Sequence, residues 1–210
     1  MPPTGADVFA LPDQGGLTRD PDTIPGHLMP GASDEALLRS AVTMKVEADR
    51  DVAHVNVTVE IVNDRTGHHV PTDSPLRHLI LLVDAASENG QALQLLDGPI
   101  VPSWCGTDDA AAGHYAGRPG TAYAKILEEL WTEVSPSAAY WNPTRVLSDN
   151  RIPAMGSDTT TYVFAAPADG QVQIDVELLF RRAFIDLAIQ KGWDTSDIRM
   201  AEATLTLPGP

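Results

Sequence analysis

Two adjacent histidines stand in the part of this chain with the densest chemical content, residues 63–78. The imidazoles of His68 and His69 could ligate a metal ion or a haem iron, or hydrogen-bond a ligand. The alternative is structural, with a histidine capping loop carbonyls while Pro71 and Thr72 set the turn. Spacing alone favours the structural interpretation, because a zinc site needs three or four converging ligands.

A second candidate pairs Cys105 with His114 in a loop rich in Gly, Ala and Asp. A thiolate beside an imidazole is the arrangement of a cysteine nucleophile, or of a copper site completed by a methionine. No Asn or Asp partner stands nearby in a recognisable pattern, and a lone cysteine is usually a small buried hydrophobe. Cys105 and His114, together with His68, are therefore weak candidates for metal ligands.

Motifs of the common enzyme classes are absent from the sequence, which contains no G-x-S-x-G, HExxH, P-loop or GxGxxG pattern. The single cysteine also excludes a CxxCH haem-attachment motif within the 210 residues, because that motif requires two thiols. We therefore predict a protein that is not a self-contained enzyme. Its own residues provide no covalent attachment for haem.

The charge balance is strongly acidic, with 29 Asp and Glu against 14 Lys and Arg and a net charge of −15. This balance argues against nucleic acid as a partner, because duplex binding needs a basic face that releases counterions. It argues equally against anionic membrane surfaces. It suits a basic protein partner, or serves solubility alone. No apolar run approaches the roughly 18 residues of a membrane-spanning helix, so we predict no membrane span.

The elements that must position these residues are mainly strands. Period-two alternation and short apolar runs predict strands in six segments: 41–48, 54–63, 76–86, 157–165, 171–181 and 201–207. Residues 97–121 are predicted to form a long loop. The apolar spacing predicts short helices over 122–134 and over 184–192, the second ended by Gly192.

This pattern predicts a mainly β fold, an antiparallel immunoglobulin-like β-sandwich with long loops and short helical insertions. We expect residues 1–35 to form an extended arm and residues 36–210 to form the sandwich domain. Apolar neighbours in the sequence predict that the four tryptophans belong to the core: Trp104, Trp131, Trp141 and Trp193.

Three phrases resemble the haem-free C-terminal β domain of multihaem c-type cytochromes related to the cytochrome c-554 group. The first is VEIVNDRTGHHVPTDSPLR, from Val59 to Arg77, although Asp73 stands where that family usually has Gly. The second is YAGRPGTAYAKIL, from Tyr115 to Leu127, and the third is LSDNRIP at 147–153. With similar features in the later strands, the resemblance covers roughly residues 27–207. It implies that His68 stands at a family-defining position, where it either structures the loop or lies near a haem edge, and it makes His68 and His69 candidate cofactor-binding residues. It also implies that the loop is shaped by a set of four residues: Gly67, Pro71, Thr72 and Arg77.

The N-terminal residues extend this resemblance toward haem. In such cytochromes Met-Pro commonly follows the CxxCH motif, and this chain opens with Met1-Pro2-Pro3. We therefore expect the sequence to start just after a haem motif that lies outside it, so that any haem c is bound through a CxxCH elsewhere. Within the phrase GHLMPG, the resemblance implies that His27 is an axial ligand of that haem. The alternative is an exposed loop histidine.

The resemblance implies an accessory or scaffolding domain of an extracytoplasmic electron-transfer protein. The domain would pack, dock and donate a haem ligand, and its partner would be a haem-bearing polypeptide or another redox protein. The implied location is periplasmic or extracellular. The alternative is a stand-alone β-sandwich module that binds a ligand or metal through the His68–His69 and Cys105–His114 loops. A His-based metalloenzyme is the third hypothesis.

Overall fold

A computed structural model describes residues 3, 5, 11–25, 31, 34–193 and 196–209 of the chain. The contacts divide the chain into two units, Met1–Asp34 and Glu35–Pro210. In the first unit, two short 3-10 helices span Pro12–Gln14 and Pro21–Thr23. The predicted boundary at residue 35 between arm and sandwich stays a prediction.

The second unit is built from antiparallel strands. Those in the described part of the chain are β1 (Thr43–Arg50), β2 (His54–Val62), β3 (His78–Ser87), β4 (Leu95–Asp97), β5 (Gly120–Tyr123), β6 (Lys125–Glu129), β7 (Thr144–Asp149), β8 (Ser157–Ala165), β9 (Val172–Arg181) and β10 (Ile198–Leu207). Short helices complete the unit: α1 (Glu35–Arg39), α2 (Ile185–Lys191) and 3-10 turns at Ser103–Cys105 and Ala110–Ala112.

Two four-stranded sheets have the orders β1-β2-β8-β4 and β10-β9-β3-β5, while β6 and β7 pair as a separate hairpin. In immunoglobulin lettering, the two large sheets read A-B-E-D and G-F-C, with β5 added beside C. The predicted fold class, a mainly β antiparallel sandwich, is confirmed. None of the helices in the described residues has the length and apolar character needed to cross a bilayer.

Strict alternation of side chains fixes the register of β2 against its neighbours. Val55, Val57, Val59 and Ile61 are buried, while the residues between them are only partly buried. A slip of one residue would turn this apolar row toward solvent, so the pairing with β1 and β8 has one favourable alignment.

Strand β3 is apolar on both faces because both faces are covered. Ile80 and Leu82 pack in one cluster with Val101 and Cys105 from the loop at 98–119. The alternate residues of β3, such as Leu81, point to the opposite face and are also fully buried. The long loop is therefore an outer layer on this sheet.

A single buried arginine at the end of β9 fixes that loop. The Nε and Nη2 atoms of Arg181 donate to the carboxylate of Asp197 at 2.7 and 2.6 Å. Its Nη1 donates to the Cys105 carbonyl at 3.1 Å, and Nη2 also donates to the Gly113 carbonyl at 2.6 Å. Both partners of the ion pair are largely buried. One side chain thus joins the sheet, the loop and the segment that leads into β10.

The helix predicted over 122–134 is wrong, because those residues form β5, β6 and the turn that follows. The Asn150 side chain holds the extended backbone at the join between the two strands. Its amide nitrogen donates to Ala122 O at 2.7 Å, and its amide oxygen accepts from Ala124 N at 2.9 Å. The apolar spacing of this segment fits a helix as well as a strand. The two hydrogen bonds from Asn150, which we call the Asn150 bracket, favour the strand. By contrast, the short helix α2 ends where predicted, at Gly192 with a φ of 64°.

The prediction that all four tryptophans are core residues is also wrong. Trp104 is partly buried and meets the stacked rings of His78 and Phe184 edge-on. The other three are exposed: Trp131, Trp141 and Trp193. Apolar neighbours in sequence do not determine burial for Trp131 and Trp141, because both lie in the turn between β6 and β7, which pair separately from the two large sheets.

Replacing the buried arginine should destabilise the fold strongly. We expect Arg181→Met to lower the free energy of unfolding by about 3–5 kcal/mol, since it leaves the Asp197 charge buried without a partner. The matched variant Arg199→Met breaks only exposed ion pairs with Glu177 and Glu202 and should cost less than about 1 kcal/mol. Urea unfolding measures both, and equal losses would contradict the assigned role of Arg181.

Candidate functional site

The loop that carries the paired histidines is built on a buried asparagine at the end of β2. The Asn63 amide donates to the carbonyls of His68 at 2.8 Å and Ile152 at 3.0 Å. The Thr66 hydroxyl lies 2.6 Å from Asn63 Oδ1 and 2.8 Å from His68 O. Val70 and Ile152 exchange backbone hydrogen bonds at 2.9 and 3.0 Å. The backbone of the loop is therefore held at several points.

His68 is exposed and oriented by its own neighbour. Its Nδ1 lies 2.9 Å from the carbonyl oxygen of His69. Because a carbonyl only accepts, Nδ1 is the donor in this contact, and in a neutral ring the lone pair is then on Nε2. Histidines that ligate metals are usually oriented by such a hydrogen bond from the second ring nitrogen. His69 is exposed as well.

The remaining loop residues shape the path into β3. Gly67 is exposed, and a cis peptide bond joins Val70 to Pro71. The Arg77 guanidinium lies 3.5 Å from the Thr72 carbonyl and 3.0 Å from the Asp73 carboxylate.

Asp73 has a φ of 72°, in the left-handed region where glycine is favoured and Asp is tolerated. The position at which this sequence departs from the cytochrome pattern is therefore one whose backbone conformation suits the glycine of that pattern.

His27 lies outside the described residues, so its role as an axial ligand stays a prediction.

Cys105 is a buried member of the apolar cluster between β3 and the outer loop. Burial raises the pKa of its thiol to about 12, so the thiol stays protonated at neutral pH, whereas nucleophiles and metal ligands require the thiolate. His114 is partly buried, and its Nδ1 has no hydrogen-bond partner among the described residues. Among all the residues that the structure describes, no group of three or more His, Cys, Asp or Glu side chains is arranged to hold a metal ion. The pairing of Cys105 with His114 in a site stays a prediction.

The imidazole of His78 closes the histidine-containing segment of the sequence, which predicts no role for it, and the structure buries it. Its ring stacks on Phe184 at 5.1 Å between centroids and meets Trp104 edge-on at 5.2 Å. Its Nδ1 donates to the Leu76 carbonyl at 3.0 Å, and Nε2 has no partner in the described structure. Burial lowers its pKa to about 3, and the Arg181 charge acts in the same direction. The only sequence signal is its position at the start of an apolar strand.

An open cleft of about 430 Å³ lies beside the Arg181–Asp197 pair. Tyr115, Glu177 and Arg199 are among the residues that line it. Arg199 pairs with Glu177 at 3.1 Å, and Arg181 already donates the hydrogen bonds described above to Asp197 and to two loop carbonyls. The charges at this cleft are therefore compensated internally.

Comparison with known proteins gives a likeness of fold. No family model matches the chain, and no curated protein matches it in sequence. The chain is similar to the penta-haem cytochrome c552 from Thermochromatium tepidum, with a TM-score of 0.62, 20% identity and 85% of this chain covered. The match covers 43% of that cytochrome, so this chain spans about two fifths of its length. The resemblance to multihaem cytochromes thus has a distant structural counterpart.

A second match is the PapD-like domain 7 of human CEP192, with a TM-score of 0.31, 7% identity, and 90% and 95% of the two chains covered. This match carries no argument about the fold or the function of the chain.

Removing the asparagine that supports the histidine loop should loosen it. We expect Asn63→Ala to lower the free energy of unfolding by about 1–3 kcal/mol, because the carbonyls of His68 and Ile152 each lose one hydrogen bond from a buried side chain. Hydrogen exchange at the Val70 amide should accelerate in the same variant. Asn56→Ala, which removes only a bond to Asp49 in an exposed region, is the matched control. An Asn63 variant as stable as this control would contradict the supporting role.

The buried His78 makes stability depend on pH. Its pKa is 6.5 when exposed and about 3 in the fold, so between these values the unfolded state binds more protons. The stabilising contribution is complete above pH 6.5 and is lost as the pH falls. Between pH 7 and pH 5, we expect wild type to lose about 1–2 kcal/mol relative to His78→Asn, which keeps a donor for Leu76 but does not titrate.

Chemical unfolding at the two pH values measures this difference. His54→Asn, at a partly exposed histidine that begins β2, is the control. Parallel pH profiles for wild type and His78→Asn would contradict the expected titration.

Proposed function

We propose that this chain is a haem-free accessory domain of an extracytoplasmic electron-transfer protein. The likeness of fold to a penta-haem cytochrome over 85% of the chain is the observation that carries this proposal. The chain has one cysteine, which is buried, so it offers no place for covalent haem attachment. Its role is accordingly to pack against a haem-bearing polypeptide and to orient it.

The chain could also donate one imidazole as an axial ligand to a haem of the partner. His68 satisfies the requirement through its exposure and through the Nδ1 contact that leaves Nε2 with the lone pair. The Asn63 network holds the backbone of the loop, which limits the ordering cost of ligation. His27 is the other proposed ligand, on the resemblance of its sequence phrase. A haem bound to the partner would supply the one-electron chemistry.

The acidic character of the chain supports a basic partner. A net charge of −15 accelerates encounter with a positively charged protein. Added salt screens this attraction and slows the encounter. We propose a periplasmic or extracellular location, and the resemblance to multihaem cytochromes is the basis for it.

The test is to purify the tagged polypeptide that contains this chain from its native host and to measure haem. We expect a haem-bearing polypeptide to co-purify and to give a Soret band. If His68 or His27 ligates the iron, replacing it with alanine should convert the low-spin spectrum to a high-spin one while co-purification persists.

His54→Ala is the matched histidine control for these spectra. Co-purified haem with spectra unaffected by either ligand variant would remove the ligand role and keep the scaffolding role. A chain that stays folded without haem, metal or a haem-bearing partner would contradict the whole proposal and favour a stand-alone binding module.

A further inference from the structure

The hairpin of β6 and β7 with its turn, residues 125–149, exposes an apolar surface to solvent, and we call this hairpin the arm. Large hydrophobic side chains are exposed along one stretch of it: Leu130, Trp131, Val134, Tyr140, Trp141, Val146 and Leu147. Trp131 is 74% exposed, Tyr140 93% and Trp141 68%. Concentrations of exposed aromatic residues on a soluble protein mark interaction sites.

The turn of the arm, residues 130–143, is organised around a carboxylate. Glu129 is buried, and its oxygens accept from the Ser137 hydroxyl at 2.8 Å, the Thr132 hydroxyl at 2.7 Å and the Asn142 amide at 2.8 Å. Backbone bonds from Ser137 N to Leu127 O and from Leu130 N to Pro143 O add to this framework. The exposed aromatic residues are therefore carried on an ordered turn, which lowers the entropy cost of binding.

The base of the arm is fixed to the sandwich. Ile126 is buried and packs in one cluster with Ala124 and Phe184. The Asn150 bracket holds the backbone next to it. The start of β6 is thus anchored in the core of the sandwich.

Most of the charged side chains of the arm are held in local contacts. Glu128 pairs with Arg145, Asp149 pairs with Arg151 at 2.7 Å, and Glu129 accepts hydrogen bonds from neutral side chains of the turn. Residues 125–149 carry two basic and four acidic side chains, so the arm is a mainly apolar, weakly acidic surface on a protein of net charge −15. Two copies of this chain repel each other, so the charge favours a different partner with an apolar centre and a basic surround.

We infer that the arm is the surface that docks the haem-bearing polypeptide, with Trp131, Tyr140 and Trp141 as its anchors. This inference rests on the proposed function for the identity of the partner. Three aromatic side chains together bury roughly 500 Å², a large part of the roughly 800 Å² that each partner contributes to a stable interface. Tryptophan and tyrosine are also the residue types that dominate binding energy at interfaces.

The first experiment places a photo-crosslinking residue at position 131 or 141 of the full polypeptide in its native host. The control position is Val52, which is 90% exposed in the β1–β2 turn. We expect adducts from both arm positions to stain for haem and to contain a CxxCH polypeptide by mass spectrometry. The control position should give no such adduct.

The second experiment measures haem co-purified with a triple variant, Trp131→Ser, Tyr140→Ser and Trp141→Ser. We expect co-purified haem to fall at least about tenfold, as for the loss of interface anchors. The matched control replaces three exposed apolar residues elsewhere with serine: Leu96, Ile100 and Trp193. Thermal unfolding of both triple variants should match wild type, because the replaced side chains are exposed.

The outcomes separate the docking surface from the function. Adducts that join two copies of this chain, or that contain only haem-free molecules, would overturn the docking assignment. So would unchanged co-purification by the triple variant, although the haem-bearing partner and the proposed function would then stand. If no haem-bearing polypeptide accompanies even the unmodified chain, the proposed function itself fails.

Discussion

The buried ion pair between Arg181 and Asp197 is the interaction on which the outer layer of the molecule depends. A guanidinium removed from water needs nearly all of its donors engaged, and here a carboxylate and two loop carbonyls engage them. That requirement brings the loop at 98–119 onto β3 and β9, where it covers Ile80 and Leu82. The apolar character of β3 and the charge of Arg181 are thus two parts of one arrangement.

Much of the sandwich could be predicted from the sequence, because its strands alternate in the way that a half-buried sheet requires. The rows of valine in β2 and of Val172, Ile174 and Val176 in β9 leave one face for the core. The arm could not be predicted in the same way. The apolar residues at 122–134 satisfy a helical period locally, and the side chain that favours strands, Asn150, lies more than twenty residues beyond the backbone of Ala122 and Ala124 that it holds.

The candidate site shows the same division between local and distant information. His68, His69 and the turn residues were identifiable because they are adjacent and chemically distinctive. The supports of the loop were not, since Asn63 acts through a carbonyl of Ile152, far along the chain. No role for His78 could be predicted, because burial against the rings of Trp104 and Phe184, and not its sequence context, determines its chemistry.

The way in which Arg181 holds the outer loop has a consequence for how freely this protein can vary. The Arg181 side chain donates to the backbone carbonyls of Cys105 and Gly113, and every amino acid has such a carbonyl. The side chains between them, around Asp108 and Ala111, are exposed and take no part in the anchor. The loop can therefore change its sequence while keeping its attachment, so the fold offers a replaceable surface on a constant frame.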